Sequence, residues 1–194
     1  MVARVAQFLD QEASYEQVYY LYSKSEELYG NLVSAEDWRA ADESDRWYSH
    51  GLLIDPDPRF HLSPNLITCM NLRRVLATPA FKAYMSAVTG LPLGTFLPRT
   101  VHRMRLGDVV GPHNDSGQGT RLGFVMYLSP AWKADYGGAL HIIGKNGVFF
   151  RIEATFNSLL VFDLTMQEAH YISDIRSTVG DRSRLTLTGL FRDP

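Results

Sequence analysis

The sequence predicts an α+β fold in which helices back a rolled β-sandwich. Three observations lead there. The first hundred residues read as helical segments joined by loops, the second hundred break into short strands, and no repeat, low-complexity tract or Pro/Gly-rich linker separates them. At 194 residues, with 45% hydrophobic and 12% aromatic content, the chain can bury about 70% of its unfolded surface in one core. A single domain over residues 1–194 is expected, with residues 1–94 as mainly helical support and residues 95–194 as the β core.

The helical part is read from end signals. Ser14 stands three residues before Gln17 in capping-box spacing, and Val18, Leu21 and Leu28 follow near one helical face, which predicts a helix from Tyr15 to Tyr29 stopping at Gly30. Ser34 opens a short helix whose early acids, Glu36 and Asp37, suit the positive helix end. Thr78 and Pro79 start a third helix, which carries Phe81, Tyr84, Met85 and Val88 and ends at Gly90. The stretch from Ser44 to Pro64 reads as a lid loop.

From Thr95 onward the periodicity changes. Strands are predicted from Val109 into His113, and over Arg121 to Leu128, Val148 to Ile152, Ser158 to Phe162 and Arg184 to Thr188. Pro130, Gly137-Gly138, Asn146-Gly147 and Gly180-Asp181 supply the breaks, and Asn146-Gly147 suits a hairpin. Seven or eight short strands in half a chain imply sheets that roll up on each other.

Composition removes several function classes. Nineteen Lys and Arg against twenty-one Asp and Glu give a net charge of -2, which offers no general attraction to nucleic acid or to an anionic membrane. There is no apolar run long enough to span a bilayer and no signal-like start, and the single cysteine, Cys69, cannot form an intrachain disulfide, so a cytoplasmic location is expected. Within Leu66-Ile67-Thr68-Cys69-Met70, that cysteine reads as a packed small residue rather than a nucleophile.

Chemistry concentrates in the strands. His113 and Asp115 are two residues apart on extended chain, so both side chains project to one side. By itself an H-x-D triplet says little, but His170 lies beyond the strand ending at Phe162 and supplies a third ligand. Two imidazoles and one carboxylate make a facial triad suited to ferrous iron, and no nearby cysteines point to structural zinc. Arg184, with Thr186 on the same strand face, points inward and needs a carboxylate, which a dicarboxylate cosubstrate would provide by two parallel hydrogen bonds. Tyr127 on another strand adds a donor to the same group.

These residues resemble the 2-oxoglutarate and Fe(II)-dependent dioxygenases, and among them the prolyl 4-hydroxylase-like branch. The likeness covers Leu97 to Asp193. It rests on His113-Asn114-Asp115, Gly119-Thr120-Arg121, Tyr127-Leu128-Ser129 with Trp132, Gly137-Gly138-Ala139-Leu140, Asn157 to Phe162, and the closing Arg184-Leu185-Thr186-Leu187-Thr188-Gly189-Leu190-Phe191, all in the family's order. The resemblance implies a double-stranded β-helix, jelly-roll or cupin-like. It also implies Fe(II) held by His113, Asp115 and His170, and 2-oxoglutarate held through its distal carboxylate by Arg184 and Tyr127 with help from Thr186. Oxygen is the oxidant, succinate the by-product, and Arg121 a substrate-facing residue.

Two departures stand out. Met104 occupies a position where many prolyl hydroxylases carry a tyrosine, and the longer interval from His170 to the closing motif makes Arg182 a rival to Arg184. Asp115 favours hydroxylation over halogenation, since related halogenases have a small residue there. The leading expectation is hydroxylation of an unactivated C–H bond in a small amino-acid-like substrate. The alternatives are a peptidyl prolyl hydroxylase and, in another class, a barrel that binds metal or ligand without turnover. His50, His61, His102 and His141 lack a carboxylate at ligand spacing and read as surface or hydrogen-bonded histidines, with His141 nearest the mouth. Trp132 and Tyr136 read as packing, and Arg103 and Arg105 as edge charge.

Overall fold

The computed structural model describes residues 1–24, 32–57, 59 and 62–194. His61 and the far end of the helix expected to reach Tyr29 lie outside the described residues. Ten strands and four α-helices occur among them.

Eight strands make two antiparallel sheets. β3 (Phe96–Met104), β10 (Arg184–Arg192), β5 (Thr120–Tyr127) and β8 (Ser158–Asp163) lie in that order in one sheet. β4 (Val109–His113), β9 (Gln167–Ile172), β6 (Leu140–Gly144) and β7 (Phe149–Ile152) form the other. β2 (Arg46–Leu53) joins them, pairing with β4 through Tyr48 and Ser49 and with β3 through Gly51 and Leu52. Its opposite edge carries β1 (Tyr15–Leu21) in register from Tyr15↔Leu53 to Tyr20↔Tyr48. This is a double-stranded β-helix, closed on one side by an added strand that bridges the two sheets.

Helices cover the outer face of the first sheet. Val5, Phe8 and Leu9 from α1 (Val2–Gln7) and the π turn after it join Leu66, Cys69, Leu72 and Leu76 of α3 (Pro64–Leu76) and Met85 of α4 (Pro79–Thr89). They meet Val101, Leu122, Phe124, Leu185, Leu187 and Phe191, all buried, from alternate positions of β3, β5 and β10. Because strand side chains alternate, the other half of each strand faces inward, toward the second sheet.

The caps at Ser34, for α2 (Ala35–Ala40), and at Thr78 are as the sequence indicates, with hydroxyl oxygens accepting from Asp37 N and Phe81 N. Gly90 closes α4 at φ 71°, the left-handed conformation that glycine adopts without strain.

Two expectations fail. Tyr15 to Leu21 is a strand, not a helix: Tyr, Glu, Gln, Val, Tyr, Tyr and Leu suit a pleated surface, and the partner strand satisfies the backbone that a capping box would have served. Ser44 to Pro64 is not one loop, since β2 runs through it with Ser49, His50 and Gly51 buried.

Candidate active site

Strand register gathers the polar residues of interest on the inner face. His113 lies opposite His170, and a bulge in β4 between Val110 and His113 keeps both of these β4 residues on the side that meets Ile172 and His170. Across the bridge, Tyr48 faces Val110 and Leu52 faces His102, so Tyr48, His50 and Leu52 share that side. His102 and Met104 are opposite Thr186 and Arg184, and Thr186 is opposite Tyr127. Directly paired residues project to the same face, so one concave surface carries them all.

At the end of β4, ligand atoms of His113, Asp115 and His170 lie within 4.8 Å of one another. Asp115 Oδ2 is 3.7 Å from His170 Nε2 and 4.0 Å from His113 Nε2, and the two imidazole centroids are 4.0 Å apart. His113 Nδ1 is 2.9 Å from the carbonyl of Gly111, an interaction that leaves Nε2 directed at the other two ligands. Burial holds both imidazoles below their ordinary pKa, His170 at about 3 with His113 adding to the effect. Neutral rings present lone pairs, the form a cation requires.

Asn114, between the two ligands, fixes the loop. Its Nδ2 donates to the carbonyls of Gln167 at 3.1 Å and Glu168 at 3.0 Å, tying the segment after β4 to the strand that bears His170. Thr120 Oγ1 donates to the Asp115 carbonyl. The Asn114 tie has no signal in the sequence, because its partners lie more than fifty residues away.

Arg184 is 1% exposed. Its Nε donates to the Gly138 carbonyl at 2.7 Å, its Nη1 lies 3.9 Å from the Met104 sulfur, and its guanidinium carbon sits 5.3 Å from the Tyr127 ring centroid. Burial depresses its pKa, and no carboxylate among the described residues forms an ion pair with it. Tyr127 is also buried, and its hydroxyl has no partner other than the neighbouring Arg184 guanidinium. A guanidinium and a phenol side by side, both underused, form a receptor for an incoming carboxylate. Thr186 is buried next to them. Arg182 lies outside this cluster, exposed and 5.6 Å from the Tyr136 ring centroid.

Arg121 shares the inner parity of β5 but is held at 3.0 Å by Asp163 Oδ2. His141 does not reach the mouth. It lies on the opposite face of its sheet, stacked on Tyr171 at 4.7 Å. His50 and His102 do face the cavity, 4.6 Å apart at the centroids, an arrangement visible only once β2 is recognised as a strand. Trp132 and Tyr136 pack against each other as expected.

The fold and site define an enzyme-like class: a double-stranded β-helix with a two-histidine, one-carboxylate cluster at its mouth and a buried cation within. Residues 100–192 match the model of the 2OG-Fe(II) oxygenase superfamily, and the chain resembles that superfamily and, within it, the prolyl hydroxylases. That family uses Fe(II), 2-oxoglutarate and O2, and the donor set found here fits that requirement.

The chain is 27% identical over 127 residues to prolyl 3-hydroxylase OGFOD1 of Mus musculus and 28% identical over 126 residues to that of Xenopus laevis, 62% of this chain in each case. It spans about a quarter of those relatives' length, 23% and 24%. A Pseudomonas putida prolyl-4-hydroxylase shares the fold at TM-score 0.56 and 19% identity over the whole of both chains. An oxidoreductase of the 2OG-Fe(II) oxygenase family from Burkholderia pseudomallei does so at TM-score 0.58 and 14% identity, covering 95% of this chain and 75% of its own. Among the described residues, no helix is long and apolar enough to cross a membrane.

Proposed function

We propose that the protein is an Fe(II)- and 2-oxoglutarate-dependent hydroxylase acting on a peptidyl prolyl substrate in the cytoplasm. The observation that carries this reading is the shared concave face: three metal-binding side chains converge at one end, and a buried arginine without a carboxylate lies further in. His113, Asp115 and His170 are the metal ligands. Arg184 and Tyr127 bind the distal carboxylate of 2-oxoglutarate, with Thr186 beside them.

Bound Fe(II) with 2-oxoglutarate and O2 supplies the oxidising chemistry, converting the cosubstrate to succinate and CO2 as one oxygen atom enters a substrate C–H bond. The chain's part is orientation and exclusion of water. Gly138 fixes the Arg184 guanidinium through Nε, leaving its outer nitrogens for a carboxylate. Met104, Val110 and Ile175, buried together with Tyr136 and Val179, keep that end dry and strengthen the charge pairing.

A small amino-acid-like substrate is the second reading, favoured by Arg121 on the inner parity of β5. Its Asp163 partner weakens that reading, because a free carboxylate would have to compete for the guanidinium. The names of the relatives support a prolyl residue. The test is succinate formation with added Fe(II), together with mass spectrometry of proline-containing peptides and of free amino acids. Gain of one oxygen on a peptidyl proline is expected. Hydroxylation confined to free amino acids would replace the substrate, and absence of succinate under every condition would leave a binding barrel.

A further inference from the structure

The concave face holds one buried polar group that the proposed reaction does not use. His50 is 5% exposed, and its Nδ1 is buried without a hydrogen-bond partner. A buried nitrogen left unmatched is costly, and a bound group that supplies the missing partner recovers that cost.

The imidazole belongs to a row of rings between the metal ligands and β10. Tyr48 lies 5.0 Å from His113 and 5.8 Å from His50, and His50 stacks on His102 at 4.6 Å and 27°. His102 is in register with Thr186, next to Arg184 on the same strand. The row therefore lines the stretch of wall between the two halves of the proposed site.

Its backbone is clamped from behind. Ser49 Oγ donates to Asp108 Oδ1 at 2.8 Å, Gln17 Nε2 donates to the same oxygen at 2.7 Å, and Arg105 N donates to Oδ2 at 2.8 Å. With Ser49 locked outward, strand alternation commits His50 inward. The position is built rather than incidental, since a loop would have left this ring free to turn to water.

Burial and the nearby His113 hold the His50 pKa at about 4, so the ring is neutral at physiological pH and offers one donor and one acceptor. A neutral ring matches an amide better than a carboxylate, which would call for a cation. Tyr48, two residues earlier on the same strand, gives an aromatic surface on which an apolar residue can rest.

We propose that His50 is a specificity-determining contact that hydrogen-bonds a backbone amide group of the peptide next to the residue being hydroxylated. The inference rests on the peptidyl reading given above.

The experiment compares wild type with His50→Phe, which keeps the stack on His102 but removes both ring nitrogens, and His50→Gln, which retains a donor and an acceptor. The dissociation constants of fluorescein-labelled proline-containing peptides are measured by anisotropy on protein loaded with Mn(II) and 2-oxoglutarate, and Mn(II) affinity is titrated in parallel. His50→Phe is expected to weaken peptide binding about tenfold, the worth of one hydrogen bond, with a much smaller change in Mn(II) affinity, and His50→Gln to restore most of the loss.

Equal peptide affinity in wild type and His50→Phe, or losses in His50→Gln as large as in His50→Phe, overturns the contact. If the wild type binds and hydroxylates peptides while His50→Phe does so equally well, the contact alone falls. If the wild type binds no peptide and hydroxylates only free amino acids, the peptidyl reading and the contact fall together.

Discussion

Arg184 Nε donates to the Gly138 carbonyl at 2.7 Å, and this bond explains why the Gly137-Gly138 turn has no side chain at its second position. A Cβ on Gly138 would lie 2.8 Å from Ile175 Cδ1 and 2.9 Å from Arg184 Cδ, at a φ of +70°. Gly138→Ala must therefore push Arg184 out of place or strain the turn. A loss of about 2–4 kcal/mol in stability and a 2-oxoglutarate KM raised at least about tenfold are expected. Urea denaturation and succinate assays check both, and an unchanged KM would separate the turn from the cosubstrate pocket.

Arg184→Leu splits stability from function. The substitution removes a desolvated cation but orphans the Gly138 carbonyl, and these effects offset to within about 1 kcal/mol. The use of 2-oxoglutarate should collapse, with KM rising about a hundredfold as the carboxylate loses its cation. Arg184→Lys restores the charge without the fork and should recover only part. A fully active Arg184→Leu protein would transfer the role to another residue, Arg182 first.

How much of this was legible in the sequence follows from where each residue's partners lie. His113, Asp115, His170, Arg184 and Tyr127 were readable because strand alternation and motif order set their faces locally, and the structure brings them onto one surface. β1 reads as a helix because Ser14 and Gln17 imitate a helix cap, whereas pairing with β2, in a register that runs from Tyr15↔Leu53 to Leu21↔Arg46, decides its conformation. With β2 taken for a lid, the inward turn of Tyr48 and His50 had no signal. The Asn114 and Asp108 ties are hidden for the same reason: each joins segments separated by dozens of residues. The caps at Ser34 and Thr78 were legible because their partners lie three residues on.

Cys69 should be silent in the native protein. It is 2% exposed beneath the helices, and burial pushes its thiol up to about 11. At pH 8 the native protein should resist a thiol reagent that labels the urea-unfolded chain completely, because both access and thiolate are lacking. Rapid native labelling would show that α3 opens locally.

Asp108 gives stability a pH signature. Burial raises its pKa above the ordinary value despite the bonds from Arg105, Ser49 and Gln17. The folded state therefore binds its proton more tightly than the unfolded state. The stabilisation that proton brings is full below the unfolded pKa of about 4 and is lost as pH rises through the folded pKa. Asp108→Asn removes this titration, so the stability difference between wild type and variant should move against the wild type as pH rises from about 3 to about 7. Urea midpoints across that range test it, and a difference independent of pH would mean that the carboxyl is not perturbed.

Asp115→Ala tests the metal cluster. The Asp115 side chain is 35% exposed, and the bond from Thr120 goes to its backbone carbonyl, which alanine retains. The loop should hold its course, with stability within about 0.5 kcal/mol of wild type. Two neutral imidazoles alone offer a divalent cation no compensating charge, so Fe(II) or Mn(II) affinity should drop about a hundredfold or more, and succinate formation with it. Titration by calorimetry under anaerobic conditions reads the affinity directly. Wild-type affinity in Asp115→Ala would exclude this carboxylate as a ligand, and with it the placement of the iron between His113 and His170.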